Sequence, residues 1–167
     1  MIVFFDFDDT LFDRNKFISA LAGRMGLSRD EFLETYTRYF KDKKRPYSCE
    51  KHLETLKRQD RWTDVDSFLQ DLSDFVHPEA HNLIRKYKTR ADRAILLSYG
   101  EENFQKIKIQ ASGLAGYFDE VIVTQDKVAV LKHLISEKEK AIFINDKEEE
   151  NKEVKRILSN IEVVDVF

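Results

Sequence analysis

The stretch FFDFDDTLFD, Phe4 to Asp13, sets Asp6, Asp8, Asp9 and Asp13 into a run of phenylalanine and leucine. Carboxylates beside a core lose hydration, and like charges packed closely repel. A chain that places Asp6, Asp8 and Asp9 at the end of an apolar strand needs something positive to offset them.

Outward from this stretch, IVFFD at 2–6 is a brief continuous apolar run, the pattern of a strand covered on both faces. AILLS (94–98), EVIVT (120–124), AIFIN (141–145) and IEVVDV (161–166) read the same way. Helical patterns separate the last four. Phe104, Ile107, Ala111 and Leu114 are predicted to share one buried face. Val128, Leu131, Leu134 and Ile135 share another, and Val154, Ile157 and Leu158 a third. Strand alternating with helix predicts an α/β fold with a five-stranded parallel sheet and right-handed crossovers.

The segment between the first and second strands is different. From 14 to 77 the periodicity is helical. Phe17, Ile18, Leu21, Ala22 and Met25 define one helix, with Asp13 as its cap. Phe32, Leu33, Tyr36, Tyr39 and Phe40 define a second, opened by a capping box of Ser28 and Glu31. Leu53 and Leu56 mark a short third helix after Pro46. A long fourth is predicted from Thr63 as N-cap through Val65, Phe68, Leu69, Leu72, Phe75 and Val76. Pro78 suits the first turn of a helix that carries Ala80, Leu83, Ile84 and Tyr87 back to the sheet. The expected organisation is a core of 1–13 and 78–167 with a helical unit, 14–77, inserted in it.

Bulk properties narrow the function. Phenylalanine occurs 13 times in 167 residues, so a substantial core can form. The formal net charge of −3 argues against a nucleic-acid or membrane-surface protein, which is usually basic. A single cysteine, Cys49, permits neither an internal disulfide nor a cysteine metal cluster. The opening MIVFF lacks a basic region and a cleavage site, and no stretch reaches the roughly 20 apolar residues of a membrane span. The expectation is a cytoplasmic protein. His52, His77, His81 and His133 show no convincing metal-ligand spacing, and KDKKRP (41–46) reads as a solvated helix end.

Ligands of parallel α/β sheets bind at the carboxyl ends of the strands. Asp6 and Asp8 follow strand one, and Ser98-Tyr99-Gly100 closes strand two. Lys127 follows strand three, and Asn145-Asp146 closes strand four. Carboxylates that can hold Mg²⁺, a lysine and a hydroxyl gathered at one edge suit phosphoryl transfer, with an aspartate as nucleophile. The cation would answer the repulsion in the opening stretch.

DFDDTL at 6–11 resembles the first motif of the haloacid dehalogenase-like hydrolases, and Ser98, Lys127 and Asp146 fall where the second, third and fourth motifs would. The resemblance implies a Rossmann-like three-layer core and a helical cap between strands one and two. It implies Asp6 as nucleophile and Asp8 as general acid/base. It also implies Mg²⁺ held by Asp6, the backbone carbonyl of Asp8 and Asp146. Thr10 would steady the loop. Ser98, with the backbone N–H groups of Tyr99 and Gly100, would bind phosphate, and Lys127 would bridge Asp6 and phosphate. Aspartate at position 8 looks like a phosphatase or phosphomutase, since dehalogenases of this family generally lack it. Val128 departs from the proline many members carry after the lysine. The further metal-site residue is open between Glu150, Asn151 and Asn145. The expected substrate is a small phosphorylated metabolite. A catalytically silent binding or regulatory protein and a receiver-like phospho-acceptor are the competing readings.

Overall fold

A computed structural model describes residues 1–166, so Phe167, the last residue of the expected core, lies outside the described residues. The five strands are β1 (Ile2–Phe5), β2 (Arg93–Tyr99), β3 (Glu120–Thr124), β4 (Ala141–Asn145) and β5 (Ile161–Asp165). They pair in parallel in the order β3-β2-β1-β4-β5. From β1 the chain moves outward through β2 and β3, then returns to the other side of β1 for β4. That reversal puts the carboxyl end of β1 at the switch point of the sheet, flanked by β2 and β4.

Eight α-helices accompany the sheet among the described residues: α1 (Arg14–Arg24), α2 (Arg29–Tyr36), α3 (Cys49–Thr55), α4 (Trp62–Phe68), α5 (Ala80–Lys88), α6 (Glu102–Ala111), α7 (Lys127–Leu134) and α8 (Glu148–Ile157). A turn of π-helix, Thr37–Lys41, continues α2. All four residues of β1 are buried, as its unbroken apolar run requires. Alternate strand residues feed two clusters. Ile2, Phe4, Ile95, Leu97 and Phe143 pack with Leu131 of α7 and Val154 of α8. Val3, Phe5, Leu96 and Ile144 share the other cluster with Phe17, Phe32, Leu53 and Val65 of the helical segment. That segment leaves and rejoins the core side by side. Asp13 N–H donates to the Phe75 carbonyl at 2.7 Å, and His77 N–H to that of Leu11 at 2.9 Å. Among the described residues, no helix is long and apolar enough to cross a membrane.

Both caps form as expected. Asp13 accepts from Lys16 N–H at 2.8 Å, and Ser28 with Glu31 closes a complete capping box. The long fourth helix does not form. α4 ends at Phe68, a single turn follows at Ser73–Phe75, and Thr63 lies inside α4 rather than capping it. Asp71 Oδ1 accepts from both the N–H and the hydroxyl of Ser73, and Leu72 N–H donates to the Ala111 carbonyl. These bonds replace the helical ones. Pro78 likewise stands just before α5, which begins at Ala80.

The predicted buried face of α6 is also corrected. Gln105, Lys108 and Ile109 are buried, while Ile107 is 45% exposed. Two polar side chains turn inward where the apolar period placed isoleucine.

Phe17 joins the layers, with its ring centroid 5.4 Å from Phe12, 5.7 Å from Phe75, 6.0 Å from Phe68 and 6.2 Å from Phe104. Phe17→Ala is expected to lower the unfolding free energy by about 3–5 kcal/mol in urea titrations. A loss below about 1 kcal/mol, the size of an ordinary surface change, would contradict this packing.

Candidate active site

β1 delivers Asp6 to the switch point, where it is 2% exposed. Its Oδ1 accepts from Phe7 N–H at 2.8 Å and from Lys127 Nζ at 2.8 Å. Its Oδ2 is buried and has no hydrogen-bond partner. Burial pushes the Asp6 carboxyl up to about 6, with Lys127 opposing the shift. Lys127, the first residue of α7, is buried too. Burial disfavours its charge, but Asp6 and Glu150 outweigh that and hold its ammonium above the ordinary range.

Lys127 is held from behind. Glu150 Oε2 accepts from Lys127 Nζ at 3.0 Å and from Asn145 Nδ2 at 2.9 Å. Asn145 Nδ2 also donates to Asn151 Oδ1, and Asn151 Nδ2 donates to Asp165 Oδ1 at 2.6 Å. Glu150, Asn145 and Asn151, the candidates for a further metal-site residue, thus form one hydrogen-bonded network that orients the lysine. Asp146, on the loop after β4, accepts from Thr10 Oγ1 at 3.2 Å, which ties the first and fourth strand ends together. Within the loop after β1, Asp9 adopts φ +63° and its N–H donates to the Phe12 carbonyl.

Asp8 has partners the sequence reading did not name. Its Oδ1 accepts from Lys108 Nζ at 2.5 Å and its Oδ2 from Gln105 Nε2 at 2.7 Å. Gln105 Nε2 also reaches Ser98 Oγ at 3.0 Å and the Tyr99 carbonyl, and Gln105 Oε1 accepts from Lys108. Lys108 is buried among the rings of Phe7, Phe12, Phe17 and Phe104, each 5.4–5.8 Å from its Nζ. Desolvation lowers its ammonium below the ordinary range, and Asp8 pulls the other way. A Cβ on Gly100, whose φ is +149°, would stand 2.8 Å from Gln105 Cγ, so glycine here admits the glutamine.

The structure therefore gathers Asp6, Asp8, Thr10, Lys127 and Asp146 around the ends of β1 and β4. Asp6 and Asp8 open onto a cavity of about 380 Å³, which Tyr99 and Gly100 also line. Ser98 is fully buried, with Gln105 bonded to its hydroxyl, and Gly100 N–H donates to the Thr124 carbonyl at 3.2 Å. Among the described residues no three or more His, Cys, Asp or Glu side chains are arranged to hold a metal. The set implied by the family resemblance uses only two carboxylates with a backbone carbonyl.

Removing one partner of a buried pair strands the other charge. Lys108→Met is expected to destabilise the fold by about 3 kcal/mol, and Asp8→Asn in the same chain to recover part of that loss. Additive effects in this double-mutant cycle would show that the two groups do not interact.

A family model described as haloacid dehalogenase-like hydrolase matches residues 3–157. Among solved structures, a candidate haloacid dehalogenase-like hydrolase from Burkholderia xenovorans LB400 aligns with a TM-score of 0.74 at 21% identity, over 98% of this chain and 82% of its own. L-2-haloacid dehalogenase from Xanthobacter autotrophicus, with chloropropionic acid covalently bound, gives 0.61 at 17% identity, over 99% and 76%. A candidate beta-phosphoglucomutase from Thermotoga maritima gives 0.57 at 17%, over 99% and 86%. At these identities the likeness is one of fold. No curated protein matches the sequence. The match across most of the chain, on a sheet whose first strand ends in Asp6 facing Lys127, establishes that this chain belongs to the haloacid dehalogenase-like hydrolase family.

Proposed function

We propose that this hydrolase is a Mg²⁺-dependent phosphatase acting on small phosphorylated metabolites through an aspartyl-phosphate on Asp6. The observation that carries this reading is the Asp6 carboxylate. One oxygen is fixed by Lys127 and the Phe7 N–H, and the other is buried with no partner. A buried carboxylate oxygen without a donor is costly, and a cation or a reacting group relieves it.

Asp6 Oδ2 fits a cation for that reason, and Thr10 holds Asp146 at the neighbouring strand end. Asp6, the backbone carbonyl of Asp8 and Asp146 would hold Mg²⁺, which when bound supplies positive charge against the carboxylates and the phosphate. Asp6 Oδ1, oriented by Lys127, attacks phosphorus, and the bond from phosphorus to the ester oxygen breaks. Asp8 enters this step protonated, its carboxyl released from the bond to Lys108 as substrate binds, and gives that proton to the leaving alcohol. It then takes a proton from water, whose oxygen attacks phosphorus and breaks the bond to Asp6, releasing phosphate. Lys127 stays beside the attacked group throughout and lowers the repulsion between Asp6 and the dianion.

Asp8 favours phosphoryl transfer over halide displacement. A departing alkoxide needs a proton, and a departing halide does not. The acidic overall charge supports neither nucleic acid nor membrane as a partner, and a cytoplasmic location belongs to the same reading.

Hydrolysis of p-nitrophenyl phosphate is expected to require Mg²⁺ and to fall about 10³-fold or more in Asp6→Asn. Equal turnover by the variant would remove Asp6 as nucleophile.

A further inference from the structure

The cavity above Asp6 has an unequal lining. Its floor is Asp6 and Asp8 with Gln105 and Lys108. Its wall is apolar: Phe17 and Leu21 from α1, Phe32, Leu33 and Tyr36 from α2, and Phe104 from α6. The exposed Arg14 and Lys147 and the half-buried Asp9 and Glu101 stand among the remaining lining groups.

Apart from Asp6, where the phosphate would sit, the polar groups of the floor are already paired with one another. Gln105 donates to Asp8, Ser98 Oγ and the Tyr99 carbonyl, and its own oxygen accepts from Lys108. The wall adds the phenols of Tyr36 and Tyr47. Tyr47 OH is engaged with Cys49 Sγ at 3.7 Å and His52 Nδ1 at 3.3 Å. His52 is in turn bonded to Thr35 and pushed down to about 4 by burial, which leaves it a neutral structural group.

A polyol chain placed against this wall would bring several hydroxyls to Phe17, Leu21, Phe32, Leu33 and Phe104, with the Tyr36 and Tyr47 phenols as the wall's polar atoms. Each unpaired buried hydroxyl costs about 1–3 kcal/mol. An apolar ring would lose no hydrogen bonds and would gain contact with Phe32, Tyr36 and Phe104. The Phe32 and Tyr36 rings lie within 1° of parallel at 6.4 Å, and Tyr47 meets Phe104 edge-on at 4.8 Å, so the wall presents both faces and edges. A volume of about 380 Å³ falls at the small end of small-molecule sites.

We infer that the substrate's alcohol part is a flat apolar group about one aromatic ring in size, rather than a sugar or polyol. The inference rests on the phosphatase reading for its chemistry and on the cavity wall for its specificity. The phosphate lies at Asp6, and the ring lies between α1, α2 and α6.

The test compares 2-phenylethyl phosphate with glycerol 3-phosphate and ribose 5-phosphate. All three release alkyl alcohols, so their leaving groups are similar and the contrast reports the wall. kcat/KM is expected to favour the phenylethyl ester about tenfold or more, the scale of one buried apolar group. Leu33→Asn, a half-buried wall position, should shrink that ratio by lowering the phenylethyl value more than the other two. Calorimetry with 3-phenylpropylphosphonate and 3-hydroxypropylphosphonate gives a readout that needs no turnover, and the phenyl compound is expected to bind about tenfold more tightly. Equal or reversed preference in kcat/KM, with turnover still dependent on Asp6, overturns the inference and leaves the phosphatase reading standing. Equal phosphonate affinities also overturn it. Preferential binding of the phenyl compound without hydrolysis of any ester supports the chamber and removes the phosphatase reading.

Discussion

The Asp6–Lys127 pair, 2.8 Å apart and almost wholly buried, is the interaction on which the site depends. Burial alone would keep a carboxyl here protonated and a lysine neutral. Together, with Glu150 as a second anion on the lysine, they stay charged in the interior. The pair is not balanced, because Lys127 faces two carboxylates and Asp6 keeps one oxygen without a donor. The residual negative charge at the end of β1 is the ground for the proposed cation.

The fold supplies the rest by topology. Chain reversal at β1 leaves the end of that strand open between β2 and β4, so side chains distant in sequence converge without long loops. Thr10 and Asp146 meet across 136 residues and Asp8 and Lys108 across 100. The helical segment covers the opening and shares its apolar cluster with one face of the sheet, so the cavity wall and the core are continuous. The arrangement carries a stability cost. The folded-state value of Asp6, about 6, lies above its ordinary 3.8. The protonated form therefore favours the fold, and this group's contribution is lost as pH rises from about 4 through 6. A residue that weakens the fold near neutrality is more readily understood as serving chemistry.

Much of this was legible in the residues. Continuous apolar runs marked all five strands, and polar residues at their carboxyl ends marked the site. Lys127 and Asp146 lie where those runs placed them. What was not legible depended on tertiary contacts. Periodicity counts Gln105 and Lys108 as outward residues because it scores them as polar. They turn inward because Asp8 and four aromatic rings receive them, while Ile107 takes the exposed position. The one available hint was a lysine three residues after a glutamine, a spacing that puts both on one helix face. Glu150, Asn145 and Asn151 carried the right chemistry for a metal site, but only the fold shows them bonded to one another and to Lys127. The fourth helix failed for a local reason, since the Asp71 side chain takes the Ser73 N–H that a helix would have used.

A cation is the partner proposed for the buried, unpaired Oδ2 of Asp6. Carbon-detected NMR of side-chain carboxyls, titrated with pH in metal-free protein and again with saturating Mg²⁺, tests this directly. Without metal the Asp6 carboxyl should titrate near 6. With Mg²⁺ its midpoint should fall by about one unit or more, because a nearby positive charge favours the ionised form. An Asp6 midpoint that stays where it was when Mg²⁺ is added would contradict the account.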